Sequence, residues 1–350
     1  MKIRVITGLY LILSSQVFAV PVINNKPELV APDILNWGLD RSPSLVDLSE
    51  PTSNRINDIH SDVKNCDIVL STSGNYHMAL SELWYEHFLK NVPQIGSWVY
   101  TTSPPVSFDH TQYGELSAGN WRTSCQPSVA VGPKKVMDKL KDAHLIKGKA
   151  IPIIQNQGNV LLVRAGNPKN IQTIWDLGRD DVKVVTSNPQ TEPGSFGNYS
   201  NTIFNIAKND DSEENASKLF NRIFNKDSNK WISGHRIHHR EVPQAIADGH
   251  ADVGMMFYHL ALYVKNRFPE QFDIIPLGGT IESPLPMAGN KIGTLYAARI
   301  KGNTSRKSHK LREYLIDRYR SNDFTNILLK YGLKRPPQFT SNNLVKNSKH

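Results

Sequence analysis

Short apolar runs of strand length alternate with helical runs of roughly 8–14 residues along most of this chain, and that alternation limits what it can fold into. Asp67-Ile-Val-Leu-Ser71 is the first clear case: a short strand that passes into the small polar turn Ser71-Thr-Ser-Gly-Asn75 and then into a helical pattern over 77–89. Further strands are predicted to end at Val99-Tyr100 and to cover 159–164, 182–186, 253–257, 272–275 and 294–300. Helices are predicted over 133–143, 171–177, 198–208, 242–248, 308–319 and 323–331. Strand–helix alternation of this kind is the signature of parallel α/β layers. Three strand ends carry small polar turns, near 73, 102 and 187–197. Ligands of α/β sheets bind at such carboxyl ends, where helix N-termini present free N–H groups.

The N-terminus addresses the chain. Lys2 and Arg4 precede a mostly apolar run from Val5 to Phe18, and Val17-Phe-Ala19 places small residues where a signal peptidase reads. This pattern predicts a signal peptide over 1–19 and a periplasmic destination. No later stretch reaches the roughly 20 apolar residues of a membrane span. Residues 20–65, rich in Pro, Asn, Asp and Ser, read as an extension on the surface, and 339–350 as a flexible tail. The formal charge of +9 is spread along the chain, with no zinc-finger spacing and no aromatic stacking pattern, so a nucleic-acid partner is not expected. Two cysteines, Cys66 and Cys125, leave both a disulfide and free buried thiols open.

The chemically densest stretch is Arg236-Ile-His-His-Arg240, followed by the apolar segment from Val242 and by Gly249-His-Ala-Asp-Val-Gly254. Adjacent histidines diverge on either a strand or a helix, so His238 and His239 do not suit a common metal ion, and no metal or cofactor is expected. No Gly-x-Ser-x-Gly elbow, nucleotide loop or distinctive carboxylate pair is present, so no catalytic residues are assigned and the chain is not read as an enzyme. Two readings of the arginines remain: ordinary surface charges, or an anion site. The second gains from the fork of guanidinium donors and from a helix start near Val242.

In this order the segments resemble the bacterial extracellular solute-binding proteins of the molybdate/tungstate-binding type, a class II periplasmic binding fold. The likeness runs from about Asp67 to Leu333. The first turn aligns Ser73 with the family's ligand serine, and Thr101-Thr-Ser-Pro-Pro105 resembles the second such turn. Asn156 and Val160-Leu-Leu-Val-Arg-Ala-Gly-Asn-Pro168 resemble the crossing into the second lobe. Ser187-Asn-Pro-Gln-Thr-Glu-Pro-Gly194 resembles the anion-facing loop, and Ala251-Asp-Val-Gly-Met-Met-Phe257 the returning strand. Phe257 stands where the family has a binding tyrosine, with Tyr258 beside it.

The resemblance implies two lobes, each a mostly parallel sheet flanked by helices, joined by two hinge crossings. Lobe 1 comprises 66–156 with 280–338, and lobe 2 comprises 157–279. It further implies a monomer that captures a small oxyanion or carboxylate for an inner-membrane ABC permease. The ligand is then met by Ser73, Asn75 and Thr102 from one side, and by Ser187, Gly194, Ser195, His239, Arg240 and Tyr258 from the other. The arginine–histidine cluster is richer than molybdate binders use, so it either selects another anion or stabilises the hinge. A sensory or interaction protein on the same fold is the alternative function.

Overall fold

The computed structural model describes residues 67–72, 74–92, 97–99, 116–118, 121–123, 126–225, 229–235, 237–302 and 305–339. The expected signal peptide, the 20–65 extension, the tail after 339, both cysteines, Ser73, Thr102 and Arg236 lie outside those residues. The chain enters through β1 (Ile68–Thr72), a 3-10 turn at Gly74–Tyr76 and α1 (His77–Glu82), which a π-helical turn prolongs over Leu83–Phe88. Then come β2 (Ser97–Val99), the hairpin β3 (Leu116–Ala118) and β4 (Trp121–Thr123), β5 (Val129–Pro133), α2 (Lys134–Asp142) and β6 (Ile146–Gln155). A second set follows: β7 (Asn159–Arg164), β8 (Val184–Thr186), α3 (Pro193–Asp210), α4 (Glu213–Ile223), β9 (Trp231–Ser233) and α5 (His238–Ala247). It continues through β10 (Val253–Phe257), α6 (Tyr258–Arg267) and β11 (Phe272–Pro276). The chain then returns as β12 (Thr294–Ile300), α7 (Arg306–Arg318) and α8 (Asn322–Lys330).

Two five-stranded sheets result, in the orders β2-β1-β5-β12-β6 and β11-β7-β10-β8-β9. They are mixed rather than mostly parallel. In the first, β1 pairs parallel with β2 and β5, but β12 is antiparallel to both β5 and β6. In the second, β8 pairs parallel with β10 and β9, whereas β7 is antiparallel to β10 and β11. The physical reason is the double crossing. β6 leads directly into β7, and β12 returns to the first sheet after β11, so strands next to the crossings insert against the local direction.

β7 lies between β11 and β10, which is why its sequence is a continuous apolar run: Val160, Leu161, Leu162 and Val163 are all buried. With Val184, Val253, Met255, Met256, Phe272 and Tyr199 they form the second sheet's core. The first sheet's core holds Trp84, Phe88, Tyr319 and Phe324 against Ile68, Leu70 and Val131. Each fully buried large apolar side chain contributes about 1.5–3 kcal/mol, so each sheet carries its own core. Met78, on α1, packs into the second sheet's core and ties the two together.

The crossings hold each other through three asparagines. Asn156, fully buried, accepts from the N–H groups of Gly158 (3.2 Å) and Gly293 (2.9 Å) and donates to the Tyr76 hydroxyl (3.0 Å). Asn290 Oδ1 accepts from Asn159 N (2.8 Å), and its amide donates back to the Asn159 carbonyl (2.9 Å). Gly158 sits between them at φ +80°, and a Cβ there would meet Asn290 Oδ1 at 2.9 Å, so both conformation and space call for glycine.

Candidate functional site

Helix starts in this molecule fall into two kinds. Ser212, Ser305 and Ser321 cap α4, α7 and α8 by accepting from the N–H groups of Asn215, Ser308 and Phe324. The helices α3, α5 and α6 begin after Glu192, Ile237 and Phe257 with no side-chain cap hydrogen bond, as α2 does after Pro133. The first i→i−4 bond of α3 joins Phe196 N to Glu192 O (3.0 Å), so the N–H groups of Gly194 and Ser195 precede it. α3 and α6 follow the carboxyl ends of β8 and β10, and α5 lies against both strands. Three positive helix ends are thereby gathered at one edge of the second sheet.

α5 starts four residues earlier than the expected 242, so His238, His239 and Arg240 form its first turn instead of preceding it. Pro243, the sixth residue of α5, lies inside the helix, where a proline ordinarily marks a boundary in sequence. The three side chains are all buried, which removes the reading of Arg240 as a surface charge. Gly254 lets α5 lie close on the sheet, since a Cβ there would meet Val242 Cγ1 at 2.3 Å and the Val185 carbonyl at 3.3 Å.

His238 is structural. Its Nδ1–H donates to the Glu192 carboxylate (2.7 Å), its backbone N–H donates to the other carboxylate oxygen (3.2 Å), and its Nε2 meets the Tyr199 hydroxyl at 2.8 Å. His238, Glu192 and Tyr199 are all buried, and burial with the neighbouring Glu192 charge pushes the Tyr199 phenol well above its ordinary range. This relay locks the start of α5 to the start of α3.

His239 lies against α1, its ring 5.2 Å from that of His77. Burial, then the proximity of His77, Arg240, His238 and His259, holds its imidazole well below the usual histidine range. His259, the second residue of α6, stacks on Tyr76 with ring centroids 4.6 Å apart. Its Nε2 contacts the Asn75 carbonyl at 2.7 Å; a carbonyl can only accept, so Nε2 carries the proton. Burial pulls the His259 pKa down to about 3, only partly offset by the Asn75 bond. Asn75 also donates through Nδ2 to Ser195 Oγ (3.2 Å), which joins the turn before α1 to the start of α3.

Within this contact zone the Ser187 hydroxyl, His239 Nδ1 and His259 Nδ1 are buried and have no hydrogen-bond partner among the described residues. A buried polar atom left unsatisfied costs about 1–3 kcal/mol, so a cluster of them marks a place built for something else. Of the residues expected from sequence, the structure brings Asn75 and Ser195 into contact and sets His239 against His77, another residue of the Asn75 segment. Gly194, Ser187 and Arg240 lie at the helix and strand ends of the same edge. Tyr258 is directed elsewhere: its hydroxyl donates to the Ile281 carbonyl at 2.6 Å. Sequence reading missed His259, Tyr76, His77 and Glu192. For His259 and His77 the available signal was position, one or two residues past a strand end or turn. For Glu192 there was none, since it meets a partner 46 residues away.

Residues 119–334, more than half of the chain, match the family of bacterial extracellular solute-binding proteins. The chain belongs to that family. A sulfate-binding protein of Synechococcus elongatus is 29% identical to this solute-binding protein over 165 residues, a stretch spanning 45% of either chain and so less than half of that relative. The sulfate-binding protein SubI from Mycobacterium tuberculosis H37Rv shares the fold at 15% identity and TM-score 0.56, covering 79% of this chain and 89% of the other. The periplasmic molybdate-binding protein of Azotobacter vinelandii does so at 13% identity and TM-score 0.50, covering 77% and 99%. These neighbours share the class II periplasmic binding fold. No helix among the described residues is long and apolar enough to cross a membrane.

Proposed function

We propose that this solute-binding protein is the capture component of an ABC-type importer, holding a small oxyanion of the sulfate or molybdate kind between its two sheets. The observation that carries the reading is the meeting of Asn75, His77 and Tyr76 from the first lobe with Ser195, His239 and His259 from the second, around the Ser187 hydroxyl, His239 Nδ1 and His259 Nδ1, which have no hydrogen-bond partner among the described residues. The sulfate-binding relative and the sulfate- and molybdate-binding neighbours support the ligand class. Arg240 supplies charge, the N–H groups of Gly194 and Ser195 supply a helix end, and the hydroxyls of Ser187 and Ser195 fix orientation. Ser73 and Thr102 complete the first-lobe side of this proposal, and His259 takes the place first given to Tyr258.

In this reading the Lys2 to Ala19 segment exports the chain to the periplasm, where it works as a monomer. The lobes close about the two asparagine-bound crossings, and the closed form docks on an inner-membrane permease. The protein binds its anion and does not transform it. Calorimetry and thermal melting with sulfate, molybdate, tungstate, phosphate and small carboxylates test this. The expected outcome is saturable one-to-one heat for at least one tetrahedral oxyanion, with stabilisation of about 2.7 kcal/mol at a hundred-fold excess over Kd. No heat and no shift in Tm across the panel would contradict it.

A further inference from the structure

His259 presents an acceptor where an anion site calls for donors. Its Nε2–H is spent on the Asn75 carbonyl at 2.7 Å, so the neutral ring shows a lone pair at Nδ1, and that atom is buried without a partner among the described residues. The ring is also held in orientation, stacked on Tyr76 at 4.6 Å and lying near-parallel to Phe257 at 5.6 Å. A lone pair aimed at a fully ionised sulfate is repelled by it. The same lone pair attracts a hydroxyl.

We infer that the cleft binds its oxyanion together with one proton, which sits at His259 Nδ1 as the acceptor of a ligand hydroxyl or as the proton of an imidazolium. The inference rests on the oxyanion reading above and specifies its ligand chemistry. Two sources of the proton share this geometry. A ligand such as hydrogen phosphate carries its own and donates it as a hydrogen bond to Nδ1. A fully ionised ligand such as sulfate draws the proton from solvent onto Nδ1, which then becomes a donor.

The groups packed around His259 leave it the best-placed receiver. From the first lobe, the Tyr76 phenol is pushed further above its usual range by burial and stays protonated, and His77 Nδ1–H is held by the Gly74 carbonyl at 2.9 Å. From α3 and α5, Tyr199 and Glu192 are engaged with His238, while the Arg240 cation opposes protonation of the neighbouring His239. On its own helix, Tyr258 is bonded to Ile281 and the Tyr263 ring meets His77 edge-on. His239 is the competing receiver, since its Nδ1 is also without a hydrogen-bond partner among the described residues.

The sign follows from linkage. The empty site is neutral at His259 above about pH 3, and a bound anion raises that value. Between the free and bound values, affinity for sulfate then rises about ten-fold for each unit fall in pH. Titration calorimetry of the full-length protein with sulfate and with inorganic phosphate, between pH 5 and 8 and in two buffers of different ionisation enthalpy, reads this directly. The expected result for sulfate, below the value His259 takes in the complex, is uptake of close to one proton and a ten-fold slope per pH unit, with His259→Gln binding sulfate more weakly, at an affinity that no longer changes with pH and without proton uptake. For phosphate, the proton arrives with the ligand and uptake from buffer is smaller. His239→Gln is expected to keep the slope; its loss there instead would overturn the assignment to His259. Binding of both anions with no slope and no buffer dependence would overturn the inference and leave the proposed function standing. Binding of neither would defeat that function itself.

Discussion

Replacing Glu192 by alanine is expected to destabilise the protein by about 3–5 kcal/mol, the cost of removing one partner from a buried, hydrogen-bonded pair. Glu192 is 7% exposed and its carboxylate takes both the Nδ1–H and the backbone N–H of His238, which is fully buried. Alanine leaves both donors without an acceptor and also removes a negative charge from the start of α3, where it complements the helix dipole. Glu192→Gln keeps an acceptor oxygen and is expected to recover roughly half of the loss. Urea unfolding followed by tryptophan fluorescence measures both. A loss in Glu192→Ala below about 1 kcal/mol, the range of an exposed pair, would show that the Glu192–His238–Tyr199 relay does not organise the lobe.

Arg240→Ala is expected to weaken oxyanion binding by about 3 kcal/mol, on the order of a hundred-fold in Kd, because a charge-assisted contact is lost in a buried site. Arg240 is 5% exposed in the first turn of α5, next to the ring that faces His77 across the lobes. Arg240→Lys keeps the charge but not the fork of donors, and is expected to fall between the two. Calorimetry beside thermal melting separates the roles. Unchanged Kd with a lowered Tm would place Arg240 in the scaffold alone.

The parts of the fold that were legible in sequence are those with local causes. β7 and β10 are continuous apolar runs buried between neighbouring strands, β11 and β12 are apolar runs broken by Asp273 and Arg299, and the expected bounds of all four lie within a residue of those observed. β6 was not legible. Its sequence contains Gly148 and Pro152 and three exposed residues at 147–149, features that an edge strand paired only with β12 tolerates. Parallel order was over-read because alternation of strand and helix says nothing about where the chain crosses between sheets.

The candidate site was legible as strand and helix ends for Asn75, Ser187, Gly194 and Ser195, while His239 and Arg240 stood out through the density of charge and imidazole in the Arg236 to Arg240 stretch. What escaped depends on distance in sequence. His259 gains its meaning from a carbonyl 184 residues away, and His238 from a carboxylate 46 residues away. Neither pairing leaves a local pattern. The Arg236 to Arg240 stretch, first read as one patch, separates by position on α5 into a scaffold histidine and two candidate ligand contacts.

Crystals grown with tungstate, a tetrahedral oxyanion heavy enough to locate by anomalous scattering, test the central claim most directly. The expected map has one strong peak between the Asn75 turn and the starts of α3 and α5, within contact distance of Ser195, Arg240 and His259. A map with that space filled by protein side chains and tungsten bound only on the outer surface would contradict it.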